Sequence, residues 1–99
     1  MLHIVNKSPA QTTALASCLR LAKDGQALLL TEDAVLAATP ALAASSGLAA
    51  AARRLKVFVL QPDAEARGMA GRLIDGVKAV GYDGFVDLVA EHPTNQTWL

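Results

Sequence analysis

Residues 56 to 68 read KVFVLQPDAEARG and contain the clearest strand signal in the chain. The run from Lys56 to Leu60 is β-branched and aromatic, and it stops at Gln61-Pro62, a pattern that predicts a strand followed by a turn. Asp63 can cap the short helix that follows, and Gly68 can end it. A strand that leads directly into a helix is the repeating unit of an alternating α/β fold.

Three other short apolar runs predict further strands, at Leu2–Val5, Ala27–Leu30 and Val77–Val80. The run at 27–30 is apolar throughout, as in a parallel strand that is buried on both faces. Helical patterns separate these runs, so strands and helices alternate along the chain. We therefore expect one α/β domain over residues 1–99, in three layers, with a mainly parallel sheet of about four strands between helices.

The first helix has a strong start signal, because Ser8, Pro9 and Gln11 together form an S-x-x-Q capping box with proline at the first helical position. This predicts a helix that begins at Pro9, with Ser8 as its cap, and that carries Cys18 about ten residues into it. Residues 34–38 predict a short helix interrupted by proline, and residues 41–52 a loop with a ragged helix. Asp83 is predicted to cap the last helix, and the residues after Pro93 are expected to form a tail.

Composition narrows the classes of function. The chain has 99 residues, of which 53% are hydrophobic and 18% charged. An apolar surplus of this kind fits a surface that a partner covers, or a general bias toward alanine. Nine basic and nine acidic residues give a net charge of zero, and no basic stripe is present for nucleic acid. A single cysteine, no signal peptide and no apolar run of bilayer length together predict a cytoplasmic protein.

Ligands of a parallel sheet bind beyond the carboxyl ends of its strands, which makes four loops eligible: 6–8, 31–33, 61–63 and 81–83. In the first, Lys7 could bind an anion, although the glycines of a phosphate loop are missing. The acidic residues Glu32, Asp33 and Asp63 suggest a receiver-type pocket, but Gln61-Pro62 stands where the phosphorylated aspartate would be. We therefore expect a capped helix at Lys7 and no phosphoryl chemistry at the acidic residues.

The remaining reactive residue types are sparse. His3 and His92 lie far apart, and no spacing predicts a metal site or a cofactor site. Cys18 shares a helical stripe with Leu15 and Leu19, away from a helix start and from a neighbouring cation that would activate it. We expect a buried or interface thiol, and no catalytic residue.

Four segments taken together resemble the TusB/DsrH family: MLHIVNKSP, CLRLAKDGQALLLTEDAV, KVFVLQPDAEARG and YDGFVDLVAEHPTNQTWL. The resemblance implies a DsrEFH-like fold and a heterohexamer with TusC/DsrF-like and TusD/DsrE-like subunits. It also implies a relay of persulfide sulfur from TusA to TusE, which ends in 2-thiouridine at the tRNA wobble position. In the DsrEFH branch, the acceptor is DsrC and the pathway is sulfur oxidation.

The resemblance also implies which chain carries the sulfur. In the family, the sulfur-carrying cysteine belongs to the TusD/DsrE subunit, in a loop after a strand. The comparable place here is Gln61-Pro62-Asp63, which has no thiol. The resemblance therefore implies a non-catalytic subunit that completes the assembly and helps to dock TusE or DsrC.

Two other functions stay open at this point. The chain could be an accessory sulfurtransferase that acts through Cys18. It could also be a stand-alone small-ligand domain with its site near Lys7 and Asp33.

Overall fold

The computed structural model describes all 99 residues and consists of five strands, five α-helices and two 3-10 segments. In chain order the elements are β1 (Leu2–Val5), α1 (Ala14–Leu21), β2 (Ala27–Leu30), a 3-10 segment (Glu32–Ala38), α2 (Pro40–Ala43), α3 (Leu48–Ala51), β3 (Lys56–Leu60), α4 (Gln61–Ala66), a second 3-10 segment (Ala70–Arg72), β4 (Val77–Val80), α5 (Tyr82–Glu91) and β5 (Asn95–Trp98). No helix has the length and apolar character that crossing a membrane requires.

The strands form one parallel sheet in the order β4-β3-β2-β1-β5. In the register, Val5 pairs with Leu30 and with Trp98, and Leu30 pairs with Val59. All strands point the same way, so their carboxyl ends share one edge of the sheet. The α/β class and the parallel sheet are confirmed, and the four expected strands lie where the apolar runs placed them.

The sheet has five strands where about four were expected, because residues 95–98 pair with β1 instead of forming a tail. This strand reads NQTW and is exposed except for Trp98. As an edge strand with little burial, it has none of the apolar alternation by which strands are recognised in a sequence. Its pairing begins where the Leu2 amide donates to the Thr94 carbonyl at 3.0 Å.

The two faces of the sheet are covered unequally. One face holds a core of 17 buried residues, in which Val5, Leu30 and Val59 pack beneath α1, α3 and α4. The other face has a cluster of only four buried residues: Leu2, Ala27, Leu29 and Leu88. Here α5 approaches β4 through Gly84, where an added Cβ would lie 2.8 Å from the Cβ of Val80. The helices therefore flank the sheet on both faces, as expected, with one face thinly covered.

The first helix starts later than predicted, at Ala14 instead of Pro9. The capping-box contacts are present, since Gln11 Oε1 accepts the Ser8 amide at 3.1 Å and Ser8 Oγ accepts the Ala10 amide at 3.2 Å. They close a single turn, however, and the Thr12 hydroxyl then accepts the Ala14 amide at 3.2 Å. Threonine hydroxyls compete with helical hydrogen bonds in this way. Cys18 is consequently the fifth residue of its helix instead of about the tenth.

Four other elements differ from expectation. The helix predicted at residues 34–38 is a 3-10 segment over Glu32–Ala38, and Pro40 begins α2 instead of interrupting a helix. Neither predicted aspartate cap is formed, because α4 begins at Gln61 and α5 at Tyr82, so that Asp63 and Asp83 lie inside the first turn. Proline is favoured at the first helical positions, which accounts for the early starts of α2 and α4.

Candidate functional site

The carboxyl edge of the sheet is the place where this architecture binds ligands. The loops after β1, β2, β3 and β4 meet there, as their shared strand direction requires. Their polar side chains are the candidates for chemistry. The structure shows what each of them contacts.

Asp63 is bound to the loop after β2. Its Oδ2 accepts the Glu32 amide at 2.7 Å, across 31 positions of sequence. Glu32 has φ of 49°, the one non-glycine residue of the chain in the left-handed region. A residue held there costs about 1 kcal/mol or more, and the charge-assisted hydrogen bond that the Glu32 amide donates to Asp63 offsets this local strain. Asp63 thus has a structural partner and is not free to act on a ligand.

Arg67 closes the same edge. Its Nε donates to Asp33 Oδ1 at 2.9 Å, and its Nη1 donates to the Asp63 carbonyl at 3.1 Å. The side-chain nitrogen Nε2 of Gln61 donates to Glu65 Oε1 at 2.9 Å. The acidic residues singled out from the sequence are therefore close together, but Asp33 and Asp63 bind an arginine and a backbone amide of the same chain. Arg67 had no signal in the sequence that linked it to Asp33, 34 positions away.

The loop at Lys7 lacks the helix N-terminus that made it a candidate anion site. Residues 9–11 form a turn and α1 begins only at Ala14, so no helix N-terminus follows Lys7 directly. Ser8 is buried and its hydroxyl accepts a backbone amide. Asn6 Oδ1 is buried without a hydrogen-bond partner. Lys7 is exposed and makes no ion pair, which fits a solvated side chain.

Both histidines have intramolecular partners. His3 is 3% exposed, and its Nδ1 accepts the indole N–H of Trp98 at 3.2 Å. The proton therefore lies on Nε2, which donates to Gln26 Oε1 at 2.7 Å. His92 Nδ1 contacts the Leu88 carbonyl at 2.7 Å, just beyond α5. No group of three or more His, Cys, Asp or Glu side chains is placed to hold a metal ion.

Cys18 lies inside the larger core, with no solvent exposure. It is on the inner face of α1 with Ala14 and Leu15. Burial raises the pKa of the thiol to about 11, although the positive charge of Arg54 lowers it in part. At pH 7 such a thiol is ionised in about one molecule in ten thousand. It is neither a nucleophile nor open to a sulfur donor in this conformation.

The positively charged Arg54 side chain binds the carboxyl end of α1. Its Nη1 donates to the Ala22 carbonyl at 2.8 Å and lies 3.3 Å from Asp24 Oδ1, while Nη2 donates to the Leu19 carbonyl. A cation at a helix C-terminus satisfies unpaired carbonyls and the helix dipole. This contact has no signal in the sequence, because Arg54 lies more than 30 positions from the carbonyls that it binds.

Comparisons with known proteins identify a similar fold and the family of this chain. The structure resembles the crystal structure of the ychN protein from E. coli, with a TM-score of 0.79 over 98% of this chain and 97% of that one. At 22% identity this likeness concerns the fold alone. A family model described as "DsrH like protein" matches residues 7–95. The chain belongs to the TusB/DsrH family.

Curated members of the TusB/DsrH family align with the whole chain. "Protein TusB" of Enterobacter sp. (strain 638) is 39% identical over 98 residues, which is 99% of this chain and 100% of that protein. "Protein TusB" of Pectobacterium parmentieri is 38% identical, and that of Escherichia coli K12 is 36% identical, each over the same shares. The expected membership is confirmed, and with it a place in a family of sulfur relay subunits.

In this TusB/DsrH chain the candidate polar side chains are engaged within the chain or solvated, and the thiol is buried. Several apolar side chains, by contrast, are exposed. Tyr82, Val86 and Val89 of α5 are exposed, on the thinly covered side of the sheet. An apolar groove of about 720 Å³ lies between α2 and the 3-10 segment at 70–72, with Arg72 among its lining residues. Surfaces of this kind mark sites of protein contact.

Proposed function

We propose that this chain is a non-catalytic subunit of a heterohexameric sulfur relay complex, assembled with TusC/DsrF-like and TusD/DsrE-like subunits in the cytoplasm. The complex takes persulfide sulfur from a TusA-like donor and passes it to a TusE-like acceptor, for 2-thiouridine formation at the tRNA wobble position. Within it, the chain supplies surface for assembly and acceptor docking, and carries no sulfur itself. It binds no nucleic acid directly.

The burial of Cys18 is the observation that carries this proposal. In a sulfur relay, a thiolate attacks the outer sulfur of the donor persulfide, a new S–S bond forms, and the donor leaves as a thiolate. The attacking group must be ionised and within reach of the donor. Cys18 is fully buried and its pKa is raised to about 11, so it meets neither condition. The strand-end loop at 61–63 has no thiol to replace it.

The closed carboxyl edge supports the same proposal. Asp63 and Arg67, which border the loop after β3, are engaged with Glu32 and Asp33 of the loop after β2. A site built for catalysis presents polar groups that converge on a pocket. Here those groups converge on one another, which supports a structural role for this edge.

The names of the relatives favour the tRNA branch, since the curated proteins that align over the full length are each called TusB. The name of the matching family model favours a second candidate, a DsrH subunit of a DsrEFH complex that delivers sulfur to DsrC in sulfur oxidation. The two functions use the same assembly and differ in the acceptor.

Deletion of the gene in its own organism tests both. If the tRNA branch is right, 2-thiouridine in tRNA hydrolysates falls to background by mass spectrometry, and a plasmid copy restores it. If thiolation is unchanged but growth on reduced sulfur compounds fails, the DsrH function replaces it. If neither changes, the chain has no part in sulfur transfer.

A further inference from the structure

Helix α5 is the one helix that covers the second face of the sheet, and it does so incompletely. Leu88 is its single buried residue, with Phe85 packed partly against the four-residue cluster beneath it. On the same face, Lys56 and Lys78 of the strands are exposed. The helix is therefore attached to the sheet along one narrow side, and most of its circumference faces outward.

One strip of the outward side of α5 is apolar. Tyr82 is 61% exposed, Val86 is 64% exposed and Val89 is 39% exposed. Phe85, Val86, Val89 and Ala90 enclose an open cleft of about 290 Å³ that has no polar residue in its lining. Single exposed apolar residues are ordinary on a protein surface, but a contiguous patch with a cleft indicates a binding surface.

An acidic stripe runs beside this apolar surface. Asp83, Asp87 and Glu91 are spaced four residues apart, so they follow one another along the helix. All three are exposed, neither ion pair of the chain includes them, and α5 has no basic residue. Like charges at this spacing repel one another, and the carboxylate of Glu91 in the last turn opposes the helix dipole, although Asp83 in the first turn is favoured by it. The charges of Asp87 and Glu91 are therefore unfavourable within this chain, and all three are favourable against a basic partner.

We propose that α5 is a docking surface for a second protein subunit, one that presents a large apolar side chain to the cleft at Phe85 and Val89 and a row of Lys or Arg to Asp83, Asp87 and Glu91. This deepens the proposed function and rests on it, because the partner is another subunit of the relay complex. Charge complementarity decides against a two-fold contact with a second copy, since that contact would bring two acidic stripes together.

Two kinds of variant test the surface in the assembled complex. The chain is co-expressed with its TusC-like and TusD-like subunits, and the affinity for them is measured at 50 and 300 mM NaCl. Val86→Asp combined with Val89→Asp places charge in the cleft, and Leu21→Asp is the matched control, because Leu21 is 59% exposed on α1 across the sheet. Asp83→Lys combined with Asp87→Lys reverses the stripe, with Glu65→Lys on α4 as its control.

We expect the cleft variant to weaken binding at least tenfold at both salt concentrations. The stripe variant weakens it more at 50 than at 300 mM, because salt screens exposed charges. Both controls keep the wild-type affinity, and circular dichroism melts verify that each variant is folded.

Equal affinities for all variants would overturn the docking surface while leaving the proposed function intact. If the wild-type chain joins no complex, the proposed function fails and this inference fails with it. Self-association of the isolated chain that the cleft variant abolishes would assign the surface to a second copy and overturn the proposed partner.

Discussion

The indole N–H of Trp98 donates a hydrogen bond to Nδ1 of His3 at 3.2 Å, and this contact ties the last strand to the first. The two rings lie 6.1 Å apart between centroids and are tilted by 33°. Because β5 is otherwise an exposed polar strand, this pair supplies much of the side-chain attachment of the sheet edge.

Trp98→Phe is expected to destabilise the fold, because it leaves the buried Nδ1 of His3 without a donor. The loss in free energy of unfolding is about 1 to 3 kcal/mol, the typical cost of an unsatisfied buried polar group. Urea denaturation measures it. The double variant His3→Phe/Trp98→Phe, in which neither polar partner remains, should cost less than the sum of the two single changes. Strictly additive costs would show that the two side chains do not interact.

Arg54→Ala is expected to lower the free energy of unfolding by about 1 to 2 kcal/mol, since it removes hydrogen bonds to the Leu19 and Ala22 carbonyls at the end of α1. Arg53→Ala is the matched control, because Arg53 is exposed and makes no side-chain hydrogen bond or ion pair. Equal stability of the two variants in thermal melts would refute the capping role of Arg54.

Asp63→Ala is expected to cost about 1 to 2 kcal/mol, because the Glu32 amide loses its charged acceptor. Glu32→Gly acts in the opposite direction, since glycine adopts positive φ without strain, and should recover part of the loss when added to Asp63→Ala. Calorimetric melting of the three variants measures both effects. If Glu32→Gly only destabilises, the strain assigned to Glu32 is not there.

The buried thiol makes stability depend on pH in an alkaline window. Folding raises the pKa of Cys18 from 9.0 to about 11, so the unfolded chain releases this proton first as the pH rises. The free energy of unfolding is therefore unaffected by the thiol below pH 9, falls between 9 and 11, and levels off above. The fall is about 3 kcal/mol for two pH units.

Cys18→Ala isolates this effect. The variant is less stable than the wild type at neutral pH because of the cavity it leaves, but its curve lacks the alkaline fall that belongs to the thiol, so the difference shrinks above pH 9. Urea denaturation between pH 7 and 11 gives both curves. Parallel curves for the wild type and the variant would mean that Cys18 is ionised equally in the folded and unfolded chains.

The sequence predicted the strands where burial is strong, and failed where contacts come from far along the chain. The strands at 27–30 and 56–60 each pair with a neighbouring strand on both sides. Because such central strands are buried, their residues are mostly apolar, and this makes them recognisable in the sequence. Residues 95–98 are polar and exposed, and they are a strand only because β1 offers an open edge beside them. Nothing local encodes that pairing.

In the candidate site, too, local burial was predictable and long-range contacts were not. The location of Cys18 on an inner helix face was predictable from its spacing with Leu15, even though the helix begins later than expected. The engagement of Asp63 was not predictable, because its partner amide at Glu32 is brought near by the parallel packing of β2 and β3. A local pattern can therefore predict a helix cap at Asp63, but it cannot show that a residue far along the chain will bind the same side chain.

Transfer of labelled sulfur through the reconstituted complex shows whether Cys18 takes part in the relay. The chain, wild type or Cys18→Ser, is assembled with its TusC-like and TusD-like partners and loaded from a cysteine desulfurase through a TusA-like donor. The account predicts that sulfur reaches the TusE-like acceptor at the wild-type rate in the variant, and that no persulfide forms on Cys18 by intact mass. A persulfide on Cys18, together with a loss of transfer in Cys18→Ser, would contradict it.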